Sequence, residues 1–573
     1  MSQDQPDESD PTTKPPRLTP VGLRLLAVVG AALLLLGLLL AITRDRNPID
    51  GSSVQSLGAT SADSTSTIDP EADVATTAPA SSPDLTLLAS PDQAEAAGAA
   101  AVLAAGLRAA SVEWLSLTDA AWHGAMETER PVYVGAVTID KQRSAVSGDL
   151  AIATRRAQSS SLVLRFLPTA QVLLTAGSGP VVQVRVDGRA VESTLDPLGA
   201  TLTVALPTST GAGDPVLVRI IFDYVVPERT QISDDGGPAG FGLLARSAGL
   251  TMVGHGLPLL TFDDGPMLPW GDVGAFPAAI WSVRVLAEGI VVTGGQDGEC
   301  PEVITELPCV WARGTALRDL PFAALAVDAA IAEADGVRVV GPANTGTAAL
   351  GQALTEAVGS MSSLQRRLGP LPWRELEVVL APLAGAAGME FPGLVILDPE
   401  YLDRLDGGFG TFVIAHEVAH QWFHALVGNS SLSDSVVDES LAQYASLWYY
   451  RDALGADAAQ DVVNRYLDTR YREALNEGVL DVAPASSLAA FDGNRVYGPM
   501  TYARAPFAWI VAENQVGEQV MVDFLAALVR DKGLSEVTSA DVRELARASG
   551  FEELVTSLQR WWFEQSPAHD ELP

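Results

Sequence analysis

The residues best suited to do chemistry lie in the segment TFVIAHEVAHQWFH, where His416 and His420 are four positions apart and Glu417 follows the first of them. Residues four apart on a helix project from the same face, one turn from each other. Two imidazole nitrogens placed in this way can bind one tetrahedral zinc ion. Glu417 would lie beside that ion without binding it, where it can act as a general base toward water. The alternative is a buried helix with two structural histidines.

A zinc ion that does chemistry needs three protein ligands and one open position. One known pattern places a third histidine six residues after the second, but Leu426 occupies that position. His424 comes four residues after His420 and would have drifted round the helix, so we do not expect it to bind. Glu439 is nineteen residues after His420, in VVDESLAQY, which begins the next helical pattern. A helix–loop–helix can return a carboxylate over this distance, so the predicted ligands are His416, His420 and Glu439.

The pair HEVAHQWF and DESLAQY resembles the motif pair of the M1 family of zinc aminopeptidases, the gluzincins. The resemblance covers roughly residues 112 to 565. It implies one zinc ion as cofactor and peptides as substrates. It also implies an α+β fold, in which an antiparallel β saddle domain precedes a thermolysin-like catalytic domain that becomes helical.

Two further segments resemble motifs of this family. GMEFPGLVIL, from Gly388, is similar to the exopeptidase motif and the substrate-binding edge strand after it. The resemblance implies that Glu390 binds the substrate's free α-ammonium, with Gly388 and Met389 beside it. VYGPMTYARAPFAW, from Val496, is similar to the segment that carries the family's catalytic tyrosine. Tyr502 matches that tyrosine, and Tyr497 matches a second one five residues earlier.

Two departures from the pattern bear on specificity. Phe391 stands where the family usually has Asn, and Ala505 stands where it usually has Gly. The metal chemistry is unaffected by either. The predicted function is therefore an aminopeptidase, with two alternatives left open. These are a zinc endopeptidase or other hydrolase, and a non-catalytic peptide-binding protein at the cell surface.

The charge balance argues against one class of partner. The chain has 36 Lys and Arg against 71 Asp and Glu, a formal net charge of −35. Such a surface repels phosphate backbones, so we do not expect nucleic-acid binding.

The sequence of the N-terminal region predicts a membrane anchor. Leu25 to Thr43 is an uncharged, apolar run of 19 residues, and a helix of that length spans roughly 28 Å, about the thickness of the bilayer's hydrocarbon. A cleaved signal peptide has a shorter apolar core and a small-residue cleavage pattern, which is not found close behind this run. One more positive charge precedes the run than follows it. We therefore expect residues 1–24 in the cytoplasm, 44–92 as a flexible Ser/Thr/Ala/Pro-rich stalk and the catalytic domain outside the cell membrane.

The remaining chain divides by its apolar periodicity. Residues 93–111 predict a short helix, and 112–317 predict a β domain of short alternating strands. Residues 318–573 predict the catalytic domain. Within it we expect helices over Thr345–Leu368, Thr411–Leu426, Asp457–Leu475 and Ala505–Lys532, and strands from Glu375 and Gly393. Cys300 and Cys309 lie close enough to close a small disulfide loop outside the cytoplasm, against the alternative of two unrelated thiols.

Overall fold

The computed structural model describes residues 90–115, 130–140, 144–177, 179–208, 211–233, 237–263, 265–300, 306–479 and 481–565. The predicted anchor over 25–43, the tail before it and nearly all of the predicted stalk lie outside these ranges. Among the helices that the structure describes, none combines the length and the apolarity needed to cross a membrane.

The predicted short helix is two helices that reach further than expected. They are α1 (Pro91–Ala97) and α2 (Ala99–Leu115), separated by Gly98 at φ 78°. Ser90 caps α1, because its hydroxyl accepts the backbone N–H of Gln93. Residues 112–115, which we assigned to the β domain, are therefore helical. Glycine adopts the positive φ of this break without steric cost.

The β domain follows, and it consists of short strands, as the alternation of apolar residues predicted. The strands described in this region are β1 (Val132–Asp140), β2 (Ala145–Arg155), β3 (Ser161–Arg165), β4 (Val181–Val186), β5 (Arg189–Ala190), β6 (Ser193–Asp196), β7 (Thr201–Ala205), β8 (Pro215–Val225), β9 (Leu244–Ser247), β10 (Leu250–Val253), β11 (Leu259–Leu260), β12 (Ala279–Leu286), β13 (Ile290–Thr293), β14 (Gln296–Glu299), β15 (Cys309–Leu317) and β16 (Phe322–Leu325). A short helix, α3 (Gln171–Thr175), lies between β3 and β4.

These strands form one eight-stranded sheet, β14-β15-β12-β1-β2-β8-β4-β5, and two four-stranded sheets, β13-β16-β10-β9 and β11-β3-β7-β6. The sheets are not wholly antiparallel as we expected, because β1 pairs with β12 in parallel. A parallel pair needs a long connection, and more than a hundred residues separate these two strands, which alternation within each strand cannot reveal. The strand β16 pairs with both β10 and β13. The β domain therefore ends at Leu325, beyond the predicted boundary at residue 317.

The two faces of the eight-stranded sheet pack against different elements. Val132 and Val134 pack in one core with Val102 and Leu103 of α2. Residues of the opposite face of β1, such as Val137, pack in a second core with the two smaller sheets. Arg219 of β8 forms ion pairs with Asp92 and Glu95 of α1 and with Asp149 of β2. The helices after the predicted stalk are therefore an integral layer of the β domain.

The predicted catalytic domain opens on a five-stranded mixed sheet, in the order β17-β18-β19-β21-β20. Its elements are the strands β17 (Ala330–Ala334), β18 (Val337–Gly341), β19 (Leu376–Leu380), β20 (Gly388–Phe391) and β21 (Leu394–Leu397), and the helices α4 (Thr347–Leu368), α5 (Phe409–Ala419), α6 (Ser431–Asp434), α7 (Val436–Ala453), α8 (Ala456–Val462), α9 (Thr469–Asn476), α10 (Asn494–Gly498), α11 (Phe507–Val516), α12 (Glu518–Lys532), α13 (Ser539–Ala548) and α14 (Glu552–Leu558). The coarse order of β sheets followed by helices is as predicted.

Two of the predicted long helices are interrupted. The expected helix over Asp457–Leu475 contains a π-helical turn, Val463–Asp468, between α8 and α9. The expected helix over Ala505–Lys532 is broken at Gly517, whose φ is 90°, between α11 and α12. Apolar periodicity continues through both places, so a pattern of hydrophobic residues alone does not mark the breaks.

Candidate active site

Helix α5 carries the first two predicted metal ligands through the centre of the catalytic domain. Residues Gly410 to Ala419 are all buried, which is typical of a helix covered on every side. It packs between α4, α7 and the strand β20. The imidazoles of His416 and His420 are therefore held in rigid surroundings.

The chain turns directly after His420, so the predicted helix over Thr411–Leu426 is wrong beyond Ala419. His420 is the C-terminal cap of α5, and its Nδ1 lies 2.8 Å from the backbone oxygen of Phe423. This contact places the hydrogen on Nδ1 and leaves Nε2 free to bind a metal. His424 has a φ of 137°, a conformation that is rare and strained for a residue with a side chain.

Three side-chain atoms converge at one point. The Nε2 atoms of His416 and His420 are 3.0 Å apart. Glu439 Oε2 lies 3.3 Å from the first and 3.5 Å from the second. Ligand atoms at 2.0–2.1 Å from a tetrahedral zinc ion are about 3.3 Å apart, so the three residues fit that ion. Glu439 reaches this position because α7 starts three residues earlier and packs against α5.

The charges of this cluster agree with a cation site. Burial alone would raise the pKa of Glu439, but its interactions with His416 and His420 hold that pKa well below the usual value. Burial lowers the pKa of His416. Burial acts in the same direction on His420, but nearby carboxylates, those of Glu390 and Glu439 first, raise its pKa well above the usual value.

Glu417 lies next to the ligands but does not join them. Burial and the carboxylate of Glu390 raise the pKa of Glu417 well above its usual value. Its Oε2 atom is buried and accepts no hydrogen bond from the described residues. The strand β20 passes so closely that a Cβ at Gly388 would lie 2.4 Å from Glu417 Oε1. Gly388 therefore gives the Glu417 carboxylate its room.

Glu390 lies on β20, and this strand is the edge of the sheet. We placed the edge strand after the motif, which is wrong, because β21 pairs on both sides, with β19 and β20. Glu390 is buried, and burial raises its pKa to about 7 although the imidazoles of His420 and His424 lower it. Met389, its neighbour, points the other way in the alternation of the strand and is buried in the core shared with the β domain.

Gln421 positions the edge strand on the metal helix. Its side-chain oxygen accepts the N–H of Gly393 at 2.8 Å, and its amide donates to the backbone oxygen of Phe391 at 2.9 Å. Both bonds hold the turn between β20 and β21. Sequence reasoning missed this role, although the position of Gln421 directly after a predicted ligand was a usable signal.

Phe391, the departure from the family pattern, faces the β domain. Its buried ring packs on the imidazole of His255, with ring centroids 4.9 Å apart. His255 in turn lies 3.1 Å from Asp319 through Nδ1. The aromatic side chain thus joins the two domains beside Glu390.

Tyr502 closes the other side of the metal cluster. Its hydroxyl donates a 2.5 Å hydrogen bond to Glu439 Oε1, and its ring lies 6.2 Å from that of His416. It is part of a π-helical turn, Pro499–Arg504, a geometry frequent at functional sites. Tyr497 is buried behind it, with ring centroids 5.8 Å apart. Burial and Glu439 raise the pKa of Tyr502 well above its usual value, so its hydroxyl remains a donor.

A second group of polar side chains lies around His424, which the sequence led us to place on the helix. Its Nδ1 is 3.2 Å from Asp438 and 4.0 Å from Glu390. Asp438 also accepts a 2.9 Å hydrogen bond from Asn429. Asp272, from the β domain, has a carboxylate oxygen within 4.8 Å of the ligand atoms of Glu390 and His424. No local pattern distinguishes Asp272 from the other acidic residues of the chain.

Comparison with known proteins agrees with this geometry. Residues 354–562 match the peptidase family M1 domain. The chain carries an M1 peptidase domain. That segment contains the three ligands, Glu417, Glu390 and Tyr502, and the recognition made from the motif pair is confirmed.

Two aminopeptidases are similar to this chain over about a third of its length. It is 26% identical over 189 residues to mouse aminopeptidase RNPEPL1, which is 32% of this chain and 26% of that protein. It is 25% identical over 201 residues to aminopeptidase 2 of Candida albicans, which is 33% of this chain and 21% of that protein. The chain thus aligns with about a quarter of the length of these relatives.

Solved structures extend the likeness to the β domain. The M1 zinc metallopeptidase from Deinococcus radiodurans is 18% identical, with a TM-score of 0.54 over 76% of this chain and 94% of that one. Yeast LTA4 hydrolase is 14% identical, with a TM-score of 0.54 over 75% of this chain and 67% of that one. These matches show the fold. The family match and the ligand set identify zinc as the cofactor.

Proposed function

We propose that this protein is a zinc aminopeptidase, which removes the first residue of a peptide by hydrolysis. The observation that carries the proposal is the convergence of His416, His420 and Glu439, with Glu417 beside them and Glu390 buried at one end of the cluster. Zinc held by the three ligands supplies Lewis acidity toward the substrate carbonyl and toward water.

The protein's own residues then account for the proton transfers. Glu417, with a free buried oxygen, accepts a proton from the attacking water and delivers it to the leaving amine. Its raised pKa, which follows from burial beside Glu390, suits a group that must both take and give a proton. The Tyr502 hydroxyl donates a hydrogen bond to the carbonyl oxygen as negative charge develops on it.

Glu390 supports cleavage at the N-terminus. A buried carboxylate is costly without a cationic partner. The only cationic candidates within reach of Glu390 in the described residues are the imidazoles of His420 and His424, and the first of these is a metal ligand. A substrate's α-ammonium would supply the missing charge, and its binding at Glu390 would place the first peptide bond at the metal.

The decisive experiment is a panel of aminoacyl p-nitroanilides assayed on the purified protein and on its Glu417→Gln variant, with zinc content measured on both. We expect release of nitroaniline by the wild type and a loss of roughly 10²–10⁴-fold in the variant at equal zinc content. No Glu417-dependent release from any substrate would refute the proposal. Cleavage of N-terminally blocked peptides would instead indicate an endopeptidase, because an aminopeptidase leaves them intact.

We also propose that residues 25–43 anchor the protein in the cell membrane, with the catalytic domain on the extracytoplasmic side. The support is the uncharged run of 19 residues and the charge difference around it. Deletion of residues 1–46 should release the protein into the soluble fraction, and protease added to intact cells should degrade the full-length form. A full-length protein extracted by alkaline carbonate would contradict the anchor.

A further inference from the structure

Arg470 places a positive charge close to the proposed catalytic tyrosine. It lies on α9, and its guanidinium carbon is 5.9 Å from the centroid of the Tyr502 ring. Two other arginines of this region have carboxylate partners: Arg472 pairs with Asp468 at 2.6 Å and Arg495 lies 3.6 Å from Glu477. Among the described residues, no carboxylate forms an ion pair with Arg470. Its charge is therefore available to a ligand.

Arg470 is open to solvent on one side and lies close to other protein atoms on the other. The side chain is exposed to solvent. Protein atoms nevertheless surround it closely enough that burial lowers the pKa of its guanidinium. One guanidinium nitrogen approaches α10 so closely that a Cβ at Gly498 would lie 2.8 Å from it. The absence of a side chain at Gly498 lets the cation lie against the helix beside Tyr502.

The positions of Glu390, the metal ligands and Tyr502 indicate which part of a bound peptide would approach Arg470. Glu390 has ligand atoms close to those of His424 and Asp272. Tyr502 bonds to Glu439, and its ring centroid lies 5.9 Å from the guanidinium carbon of Arg470. A peptide whose α-ammonium lies at Glu390 has its first carbonyl at the metal ligands. The residue released with the leaving amine then extends toward Tyr502 and Arg470.

An anionic group on the leaving-group side of the substrate needs a cationic residue such as Arg470. The metal cluster is lined by the carboxylates of Glu390, Glu417 and Glu439, and the chain as a whole carries −35. A substrate carboxylate would be repelled unless a cation received it, and the planar guanidinium can bind it through two parallel hydrogen bonds.

We propose that Arg470 is a specificity-determining residue that binds a carboxylate on the leaving-group side of the substrate. That carboxylate is either the C-terminus of a dipeptide or the side chain of an acidic second residue. The inference rests on the proposed aminopeptidase function and narrows its substrates to peptides with an anion next to the scissile bond.

The test compares substrates that differ only in this charge. The first pair is Xaa-Ala and Xaa-Ala-amide, and the second is Xaa-Glu-amide and Xaa-Gln-amide, where Xaa is the residue preferred in the anilide panel. We expect wild type to favour the carboxylate member of at least one pair by roughly tenfold in kcat/KM. The pair that shows the preference identifies the source of the carboxylate. No preference in either pair would overturn the inference.

Two variants separate specificity from structure. Arg470→Gln should bring the preferred ratio to about one while hydrolysis of the uncharged p-nitroanilide changes less than about twofold. Arg495→Gln is the matched control, because it removes the same charge from the neighbouring helix α10, and it should keep the wild-type ratio. A parallel loss on the anilide and on the charged peptide would show that Arg470 only supports Tyr502, which would overturn the proposal.

The outcomes also separate this inference from the proposed function. Anilide hydrolysis without a carboxylate preference refutes the role of Arg470 alone, whereas no hydrolysis of any substrate refutes the aminopeptidase. If Arg470→Gln does not fold, Arg470→Lys keeps the charge without the two-pronged geometry. It should then show a reduced preference, and an unchanged preference would count against binding by the guanidinium.

Discussion

The buried carboxylates around Glu439 and those around Glu377 meet different partners. In the zinc cluster, His416, His420 and Glu439 converge on one point, and the interaction with the imidazoles lowers the pKa of Glu439. In what we call the arginine cluster (Asp297, Arg338, Glu375 and Glu377), Arg338 binds Glu377 through both nitrogens of its fork at 2.7–3.0 Å.

The arginine cluster joins β14 of the β domain to β18 and β19 and borders a pocket of about 520 Å³. Burial raises the pKa of Glu377 to about 7 and that of Asp297 to about 6, despite the nearby guanidinium. Burial of acidic groups is common to both regions, so burial does not mark function. The difference is that Arg338 already fills the arginine cluster, whereas in the zinc cluster no Lys or Arg among the described residues forms an ion pair with Glu439.

The largest expected difference between the two clusters is in zinc content and activity after the same Glu→Gln substitution in each. Glu439→Gln should weaken zinc binding by at least roughly 100-fold, because even the loss of a hydrogen-bond partner outside the ligands costs 10–100-fold. Activity should fall with zinc content. Glu377→Gln should leave both unchanged, since it touches neither the metal nor the substrate. Zinc content by mass spectrometry and anilide hydrolysis would check this, and equal zinc loss in both variants would remove the distinction.

Tyr502→Phe tests whether the hydroxyl beside the zinc cluster acts in catalysis or in holding the metal. Removal of the hydroxyl deletes one donor to the developing oxyanion, for which we expect a loss of about 10²–10³-fold in kcat. Zinc content should be retained, because the ligand atoms are intact. Tyr497→Phe is the matched control and should have a smaller effect. A loss of metal in Tyr502→Phe would show that its bond to Glu439 serves to hold the ligand.

The arginine cluster should appear in the pH dependence of stability. Because the pKa of Glu377 is raised from 4.5 to about 7, the folded protein binds this proton more tightly than the unfolded chain. The stabilisation is complete below about pH 4.5 and is lost as the pH rises through 7, by roughly 3 kcal/mol in the free energy of unfolding. Denaturant unfolding at several pH values should show this fall in wild type and a flatter profile in Glu377→Gln. Identical slopes would disprove the assignment.

The smallest effect should come from the disulfide beside the arginine cluster. Cys300 and Cys309 are bonded, as the sequence predicted, and they tie β14, which carries Asp297, to β15. A loop of this length contributes roughly 2–3 kcal/mol through the unfolded state. The variant Cys300→Ser with Cys309→Ser should therefore unfold at lower denaturant concentration and keep its kcat/KM. A loss of activity would connect this hairpin to the zinc cluster.

The sequence by itself determined the metal site and the family. His416, Glu417 and His420 lie within five residues, so helical geometry brings these three together. The offset of Glu439, at the start of the next helix, predicted that a helix–loop–helix returns it to them, and the packing of α7 on α5 does so. The succession of β strands and helices was also readable, because each element has its own apolar period. These features depend on neighbours in the chain.

The tertiary structure decided what depends on distant neighbours. The end of α5 at Ala419, the strained turn at His424, the edge position of β20 and the approach of Asp272 to Glu390 all result from contacts between remote segments. The same holds for Arg470, since a sequence shows an arginine but not whether a carboxylate lies within reach of it. Periodicity reports which face of an element is apolar, whereas the partner of that face is fixed only when the whole chain packs.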